Sequence, residues 1–343
     1  MIQQKSVRHT WLDVAKGIGI ILVVYGHIMI NGALYTQIRD VVYAFHMPLF
    51  FAISGYTIMP GRIKDFTVKR AQNLLIPYAV YLFLIGAPLA MSTHNLHHRS
   101  ALLEFLFYLY GGDHLVVFMT AFWFVTCLFF SIVLYKVMLT FFKSPLSYGM
   151  ILSVIALYLL AYAVVAIAGK ISIPVPLALD HVPMACVFIW FGSVYKHFEG
   201  RGRMWLVGGL VGLFGLLAIY RTLPFFTIDM KTNHYGPFVA GFIASIGLTV
   251  LCLLLSKLIA HYKAIAYPIE LLGRASLTIM FVSQPILLMM KSWGVNFFLI
   301  WFVALIIPLG LHIIFGMNKY TALFLLGRRH AGVKPLVKES LVA

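Results

Sequence analysis

Residues 11–27 read WLDVAKGIGIILVVYGH, an apolar helix with an acid and a base at its start and an imidazole at its end. Eleven residues separate Lys16 from His27. At about 100° and 1.5 Å per residue, the two share a face and stand roughly 16 Å apart along the axis, with Asp13 within about 40° of the same line. Such a line is costly in a plain anchor helix, because polar groups at bilayer depth lose hydration. Residues 45–56, FHMPLFFAISGY, read as the antiparallel partner and bring a second imidazole, His46. The facing pair, His27 and His46, is the expected reaction centre.

The rest of the chain agrees with a membrane setting. Of 343 residues, 62% are hydrophobic and only 10% charged, far from soluble averages. Apolar runs of membrane-spanning length recur throughout. They predict an all-α, polytopic integral membrane protein with about ten spans, near 14–33, 41–59, 74–91, 117–135, 148–168, 183–198, 204–220, 237–256, 275–290 and 297–316. The runs at 183–198 and 275–290 are the shortest for the task. Basic residues then set the orientation. With a cytoplasmic N-terminus, 20 Lys and Arg fall inside and only Arg39, Arg99, Lys170, Arg221, Lys231 and Lys291 outside. Both termini are therefore expected in the cytoplasm. Residues 1–320 form the membrane domain, and 321–343 read as a basic tail.

A net charge of +16 raises the question of nucleic acid. The charges are spread over short inward loops, where topology and anionic headgroups account for them, so no nucleic-acid partner is expected. Cys127, Cys186 and Cys252 sit inside apolar runs without metal or disulfide spacing and read as packing residues. Lys5 and Arg8 ahead of an apolar stretch mimic a signal peptide. Asp13 and Lys16 interrupt that pattern and no small-residue cleavage site follows, so retention is expected. In residues 92–116 the centre, 102–110, is amphipathic and fits a short interfacial helix. Pro77 reads as a first-turn proline of the third span, after a basic inward loop over 60–72. No repeat of 20–50 residues is present.

Each candidate residue has a plainer reading beside the functional one. A lone membrane histidine usually packs and hydrogen-bonds; Lys16 in line and a second imidazole on the next helix favour His27 as the general base that removes a hydroxyl proton near pH 7. His46 serves as partner base, orienter or hydroxyl binder, unless it only satisfies a carbonyl freed by Pro48. Ser54 either back-bonds within its helix or, with Gly55 and Tyr56, lines a passage for a linear ligand. Arg62, Lys64, Lys69 and Arg70 follow from topology alone, yet lie below the histidines, where they suit the phosphates of a nucleotide-bearing donor. His94, His97, His98, Asp113 and His114 make an outward histidine-rich patch whose spacing specifies no metal site; no metal is expected. Asp180 and His181 are candidates for contact with an acceptor from outside. His312 reads as structural. The GxSxG, HExxH, CxxC and P-loop patterns are absent.

Taken in order, WLDVAKGIGIILVVYGH, YAFHMPLFFAISGY, KRAQNLLIPYAVY, FWFVTCL and LLGRASLTIMFVSQPI resemble the membrane-bound acyltransferase family 3, in the branch of fucose 4-O-acetylases and the enterobacterial common antigen O-acetyltransferase. The resemblance runs from residue 11 to about 290. It places the family's basic-x10-His signature on Lys16 and His27, and its FFxxSG signature on Phe50, Phe51, Ser54 and Gly55. Arg70 matches the first member of an arginine pair whose second position is Asn73 here. Gln284 stands where a histidine is common, so it offers a hydrogen bond but no proton transfer. The resemblance implies an O-acyltransferase that takes an acetyl group from cytoplasmic acetyl-CoA to a hydroxyl of a glycan or lipid-linked sugar. His27 and His46 would be catalytic, Lys16, Ser54, Tyr56, Lys69 and Arg70 would hold the donor, and Asp13 would fix Lys16 at i,i+3. A transporter using the same polar line, and a non-catalytic partner of a glycan-assembly complex, are the rivals; label passing from acetyl-CoA to a polysaccharide separates the enzyme from both.

Overall fold

The structure, a computed structural model, describes residues 9–28, 32–93, 100–171, 174–200, 207–212, 214 and 228–328. Its elements are helical. They run α1 (Thr10–His27), α2 (Ala33–Tyr56), α3 (Ile63–Thr93), α4 (Ala101–Tyr110), α5 (Trp123–Phe142), α6 (Tyr148–Ile171), α7 (Val182–His197), α8 (Ala240–Ala260), α9 (Lys263–Arg274), α10 (Ser276–Ser292), α11 (Phe297–Gly316) and α12 (Lys319–Leu326). A pair of residues, Asp229 and His234, makes an isolated bridge; no β-strand is formed among the described residues.

Six of these segments are long and apolar enough to cross a membrane, and α9 with α10, bent by 75° at their junction, pass the same test together, which gives seven if the bent pair is one span. Helices occupy nine of the ten positions expected from the sequence; the other, 204–220, lies mostly outside the described residues. Neither α1 nor α2 is among the apolar set. Asp13, Lys16 and His27 dilute the first, and Arg39, Asp40 and His46 the second.

Two crossings at the centre bring backbones into contact. A Cβ on Gly273 would stand 1.8 Å from the Asp13 carbonyl oxygen, and one on Gly17 would stand 2.0 Å from that of Ile269. Between α2 and α7, a Cβ on Gly55 would meet Ile189 O at 1.8 Å, and one on Gly192 would meet Ala52 O at 1.8 Å. Small residues permit this approach, and close van der Waals packing is what holds helices together where lipid removes the hydrophobic drive. The result places α1 between α2, α8 and α9, with α7 behind α2.

Three expectations change. The basic segment over 60–72 is mostly not a loop: α3 starts at Ile63 and runs for 31 residues, so Pro77 lies inside the helix rather than in its first turn. At 1.5 Å per residue that is about 46 Å, longer than the hydrocarbon core, so the first turns project and carry the charge. The tail begins later than residue 321, because α12 packs its Ala322 and Leu326 inward against α3. The short amphipathic helix expected over 102–110 is present as α4, capped by the Ser100 hydroxyl on the Leu103 amide, with Glu104 and Tyr108 buried.

Candidate active site

The two imidazoles lie on neighbouring helices, and no hydrogen bond or ring contact joins them directly. The Tyr43 ring neighbours both, its centroid 6.4 Å from that of His27 and 5.0 Å from that of His46. Gly26 makes room for it: a Cβ there would sit 2.9 Å from the Tyr43 ring. His46 is buried and its Nδ1 lies 2.8 Å from Val42 O, one turn back on α2. A carbonyl only accepts, so Nδ1 carries the proton and Nε2 keeps a lone pair. The bonded carbonyl is that of Val42, not the Ala44 carbonyl that Pro48 leaves unpaired. His27 is half-buried at the end of α1 and lies within electrostatic range of His46, Asp229 and Lys231.

Asp229 and Lys231, neither of them a candidate site residue in the sequence, arrive on a strap, residues 228–235, within the loop 221–237, expected to lie outside, whose prolines and aromatics suit the mouth of an outer cavity. Its Ile228 amide donates to Tyr43 O at 3.3 Å. The Lys231 ammonium donates to the carbonyls of Leu115 and Thr120 at the foot of α5. Burial pushes that ammonium down to about 8, against the opposing pull of Asp113 and Asp229. Asn233 donates to Asp180 Oδ2 at 2.7 Å, while its carbonyl oxygen lies 3.0 Å from His181 Nδ1 and accepts from the Tyr235 hydroxyl at 3.0 Å. His181 also stands edge-on to Trp123 at 5.0 Å. Asp180 and His181 are thus tied into one polar network with the strap, over the His27 end of the bundle.

Residues 9–317 match the family described as Acyltransferase domain. The chain belongs to this acyltransferase family. Among curated proteins it resembles Nodulation protein NolL of Sinorhizobium fredii (strain NBRC 101917 / NGR234), 34% identical over 147 residues, which is 39% of this chain and 37% of that protein. Nodulation protein NolL of Mesorhizobium japonicum (strain LMG 29417 / CECT 9101 / MAFF 303099) is 34% identical over 143 residues, 38% of this chain and 35% of the relative. The match therefore spans little more than a third of each relative's length. No solved structure matches the chain. The chain is thus a helical member of an acyltransferase family with several segments fit to cross a membrane.

At the other end of α1 the charged side chains gather. Lys16 Nζ meets Asp13 Oδ1 at 3.2 Å, the i,i+3 pair expected from the sequence. Arg274, at the bend after α9, brings its Nε to 3.9 Å from the second oxygen of the same carboxylate and pairs with Glu270 through Nη2. No ion pair or hydrogen bond joins Lys69 or Arg70 to Lys16 among the described residues: Lys69 is exposed, and the Arg70 guanidinium lies over the Phe66 ring at 5.2 Å. Asn73, in place of a second arginine, is placed with its amide to donate to Gly327 O and Lys69 O, at 2.9 and 3.2 Å, and so ties down the end of α12. Ser54 donates to Phe50 O at 2.8 Å. Gly55 serves the crossing with α7.

Tyr56 belongs to an aromatic cluster at the Trp11 end. Its ring stands 5.1 Å from that of Trp11 and its hydroxyl donates to Glu199. Lys257 bonds Glu199 at 2.8 Å and lies over the Trp11 ring at 4.6 Å. Burial raises the Glu199 carboxyl, but hydrogen bonds from Lys257 and Tyr56 outweigh it and hold the group below the usual range. Trp11, Glu199, Lys257, Ala260 and His261 line a pocket of about 300 Å³ here. Gln284 is buried on α10, which packs on α1. His312 is held by Thr278 at 2.9 Å and Arg328 at 3.1 Å. His94, His97 and His98 lie outside the described residues; among those described, no three or more His, Cys, Asp or Glu converge as a metal site would require.

Proposed function

We propose that this protein is an O-acyltransferase of the inner membrane that moves an acetyl group from cytoplasmic acetyl-CoA to a hydroxyl of a cell-surface or lipid-linked glycan. The observation that carries this reading is the line His27–Tyr43–His46, inside a member of an acyltransferase family and at the opposite end of α1 from two cations. In this reading both termini face the cytoplasm, so Lys16 and Arg274 lie towards the donor side and the strap towards the acceptor.

His27 accepts the proton of the sugar hydroxyl as its oxygen attacks the thioester carbonyl; the carbon–sulfur bond breaks and CoA leaves as the thiolate. General-base assistance of this kind contributes roughly 10²–10⁴ in rate. His46, its Nδ1 held by Val42 O, orients or assists from α2 through Nε2. A route through an acetylated His27, formed by attack of the imidazole on the thioester, uses the same residues. Asp13 holds Lys16 for the donor, while Ser54, Tyr56, Lys69 and Arg70 line its path and Gln284 supports it from α10.

Membranes carrying the protein are expected to pass label from radiolabelled acetyl-CoA to a glycan, which gains the mass of one acetyl group. His27→Ala is expected to abolish transfer at unchanged protein level and thermal stability. Near-normal transfer by that variant overturns the mechanism.

A further inference from the structure

The donor's phosphates need cations, and the sequence offers them on α3. The structure assembles a different set. The α1–α9 crossing at Gly17 and Gly273 is so close that neither glycine admits a side chain, and it delivers Arg274 to the acid that already holds Lys16. Asp13 thus lies between two cations, with Lys16 at 3.2 Å and Arg274 at 3.9 Å. The layering of the cluster sets its chemistry. The two acids lie beneath, with side chains 7% exposed for Asp13 and 12% for Glu270, and the two bases above them, at 31% for Lys16 and 26% for Arg274. An approaching group therefore meets positive charge first. Moreover, Arg274 Nε is buried with no hydrogen-bond partner among the described residues, and Asp13 Oδ2 at 3.9 Å is beyond bonding range. A buried donor without a partner costs free energy, and here the cost falls on Arg274. The 75° break after Arg274 is the kind of discontinuity that lines ligand sites in membrane proteins.

We infer that Arg274 and Lys16, braced from below by Asp13 and Glu270, form the site for the phosphate groups of the CoA donor. This rests on the acetyl-CoA reading above and moves the phosphate contact from α3 to the α1–α9 junction. The guanidinium fork suits a phosphate's paired oxygens, and Lys16 adds a point charge beside it. The site stands about 16 Å from His27 along α1, so an extended pantetheine arm between them runs along the helix. The alternative, a neutral charge network that merely pins the bend, makes no distinction between donors with and without phosphate.

The test compares acetyl-CoA with acetyl-pantetheine, which carries the thioester but no phosphate. Arg274→Gln is expected to raise KM for acetyl-CoA about tenfold, as loss of a charged hydrogen bond does, with kcat within about twofold and KM for acetyl-pantetheine unchanged. Arg274→Lys, which keeps the charge and loses the fork, should fall between. A second readout needs no turnover: CoA should raise the thermal stability of the detergent-solubilised protein, and of His27→Ala, but much less that of Arg274→Gln. Equal stabilisation of wild type and Arg274→Gln overturns the site, as does a parallel rise in KM for both donors. The site is likewise overturned if Trp11→Ala, at the 300 Å³ pocket, weakens CoA binding and Arg274→Gln does not. If CoA stabilises no form of the protein and donates no acetyl, the donor reading itself fails, and this site with it.

Discussion

Helices α1 and α6 are both helices of a membrane protein, and they are built by opposite rules. Ten of the 18 residues of α1 are buried, Asp13 among them, whereas only 17% of the apolar window of α6 is buried, and 22% of that of α11. The outer helices meet hydrocarbon over most of their surface and so carry almost nothing but apolar side chains. Inside, α1 is shielded by α2, α8 and α9, and it can hold an ion pair and an imidazole because neighbours supply the partners that lipid lacks. The strongest membrane signal in the chain therefore marks the helices with the least chemistry. The weakest marks the site.

Glycines offer the sharpest way to break this contrast. Gly273→Ala would drive a methyl group into the Asp13 carbonyl, a backbone atom that cannot rotate away. The expected cost is about 3 kcal/mol, the upper part of the usual overpacking range, seen as a lowered Tm in detergent and a loosened Lys16–Arg274 site. Gly310→Ala on α11 has nothing within 4 Å of the new atom and should cost nothing, or gain up to about 1 kcal/mol of helix propensity. Equal tolerance of both changes would mean that α1 and α9 do not cross as closely as described.

Much of the central pair is legible in the sequence, because helical periodicity is a local rule. The spacing of Asp13, Lys16 and His27 fixes a face, and the Asp13–Lys16 contact is present at 3.2 Å. Tyr43 was hidden by its own ordinariness: an aromatic residue inside an apolar helix reads as core, and only Gly26 on α1, opposite it, hints at a ring between helices. Arg274 is 261 positions from Asp13, and no pattern within α9 shows that Gly273 faces a backbone. The bend at Ala275 has no proline to announce it. For the strap, Asp229, Lys231 and Asn233 look like loop polarity, since partners such as Leu115, Thr120, Asp180 and His181 lie in the distant segments that lead into α5 and α7.

That strap supplies a second comparison, between a segment held by side-chain hydrogen bonds and helices held by packing. Asn233→Ala removes one bond to Asp180, one from Tyr235 and one with His181. With partners left partly buried, the expected loss is about 2 kcal/mol. Hydrogen exchange should quicken over residues 228–235 while amides of α1 and α2 keep their protection. Uniform acceleration across both regions would show that the strap is part of the core rather than a separate latch.

The smallest effect is a dependence on pH, and its sign follows from burial. Lys231 titrates at about 8 in the folded protein, below the usual lysine value of about 10.4. Between these values the unfolded chain binds more protons than the folded one, so stability rises with pH. Below pH 8 both forms are charged and the full burial penalty applies; as pH climbs through 8 the folded amine sheds its proton and the penalty is relieved. From pH 7.5 to 9 the gain is about 1 kcal/mol. Lys231→Met loses the bonds to Leu115 and Thr120 and begins less stable, but its stability should not climb over that interval as the wild type does. The difference in slope between the two proteins, rather than either Tm, isolates the buried ammonium. Parallel slopes would place Lys231 in water, and with it the strap away from His27.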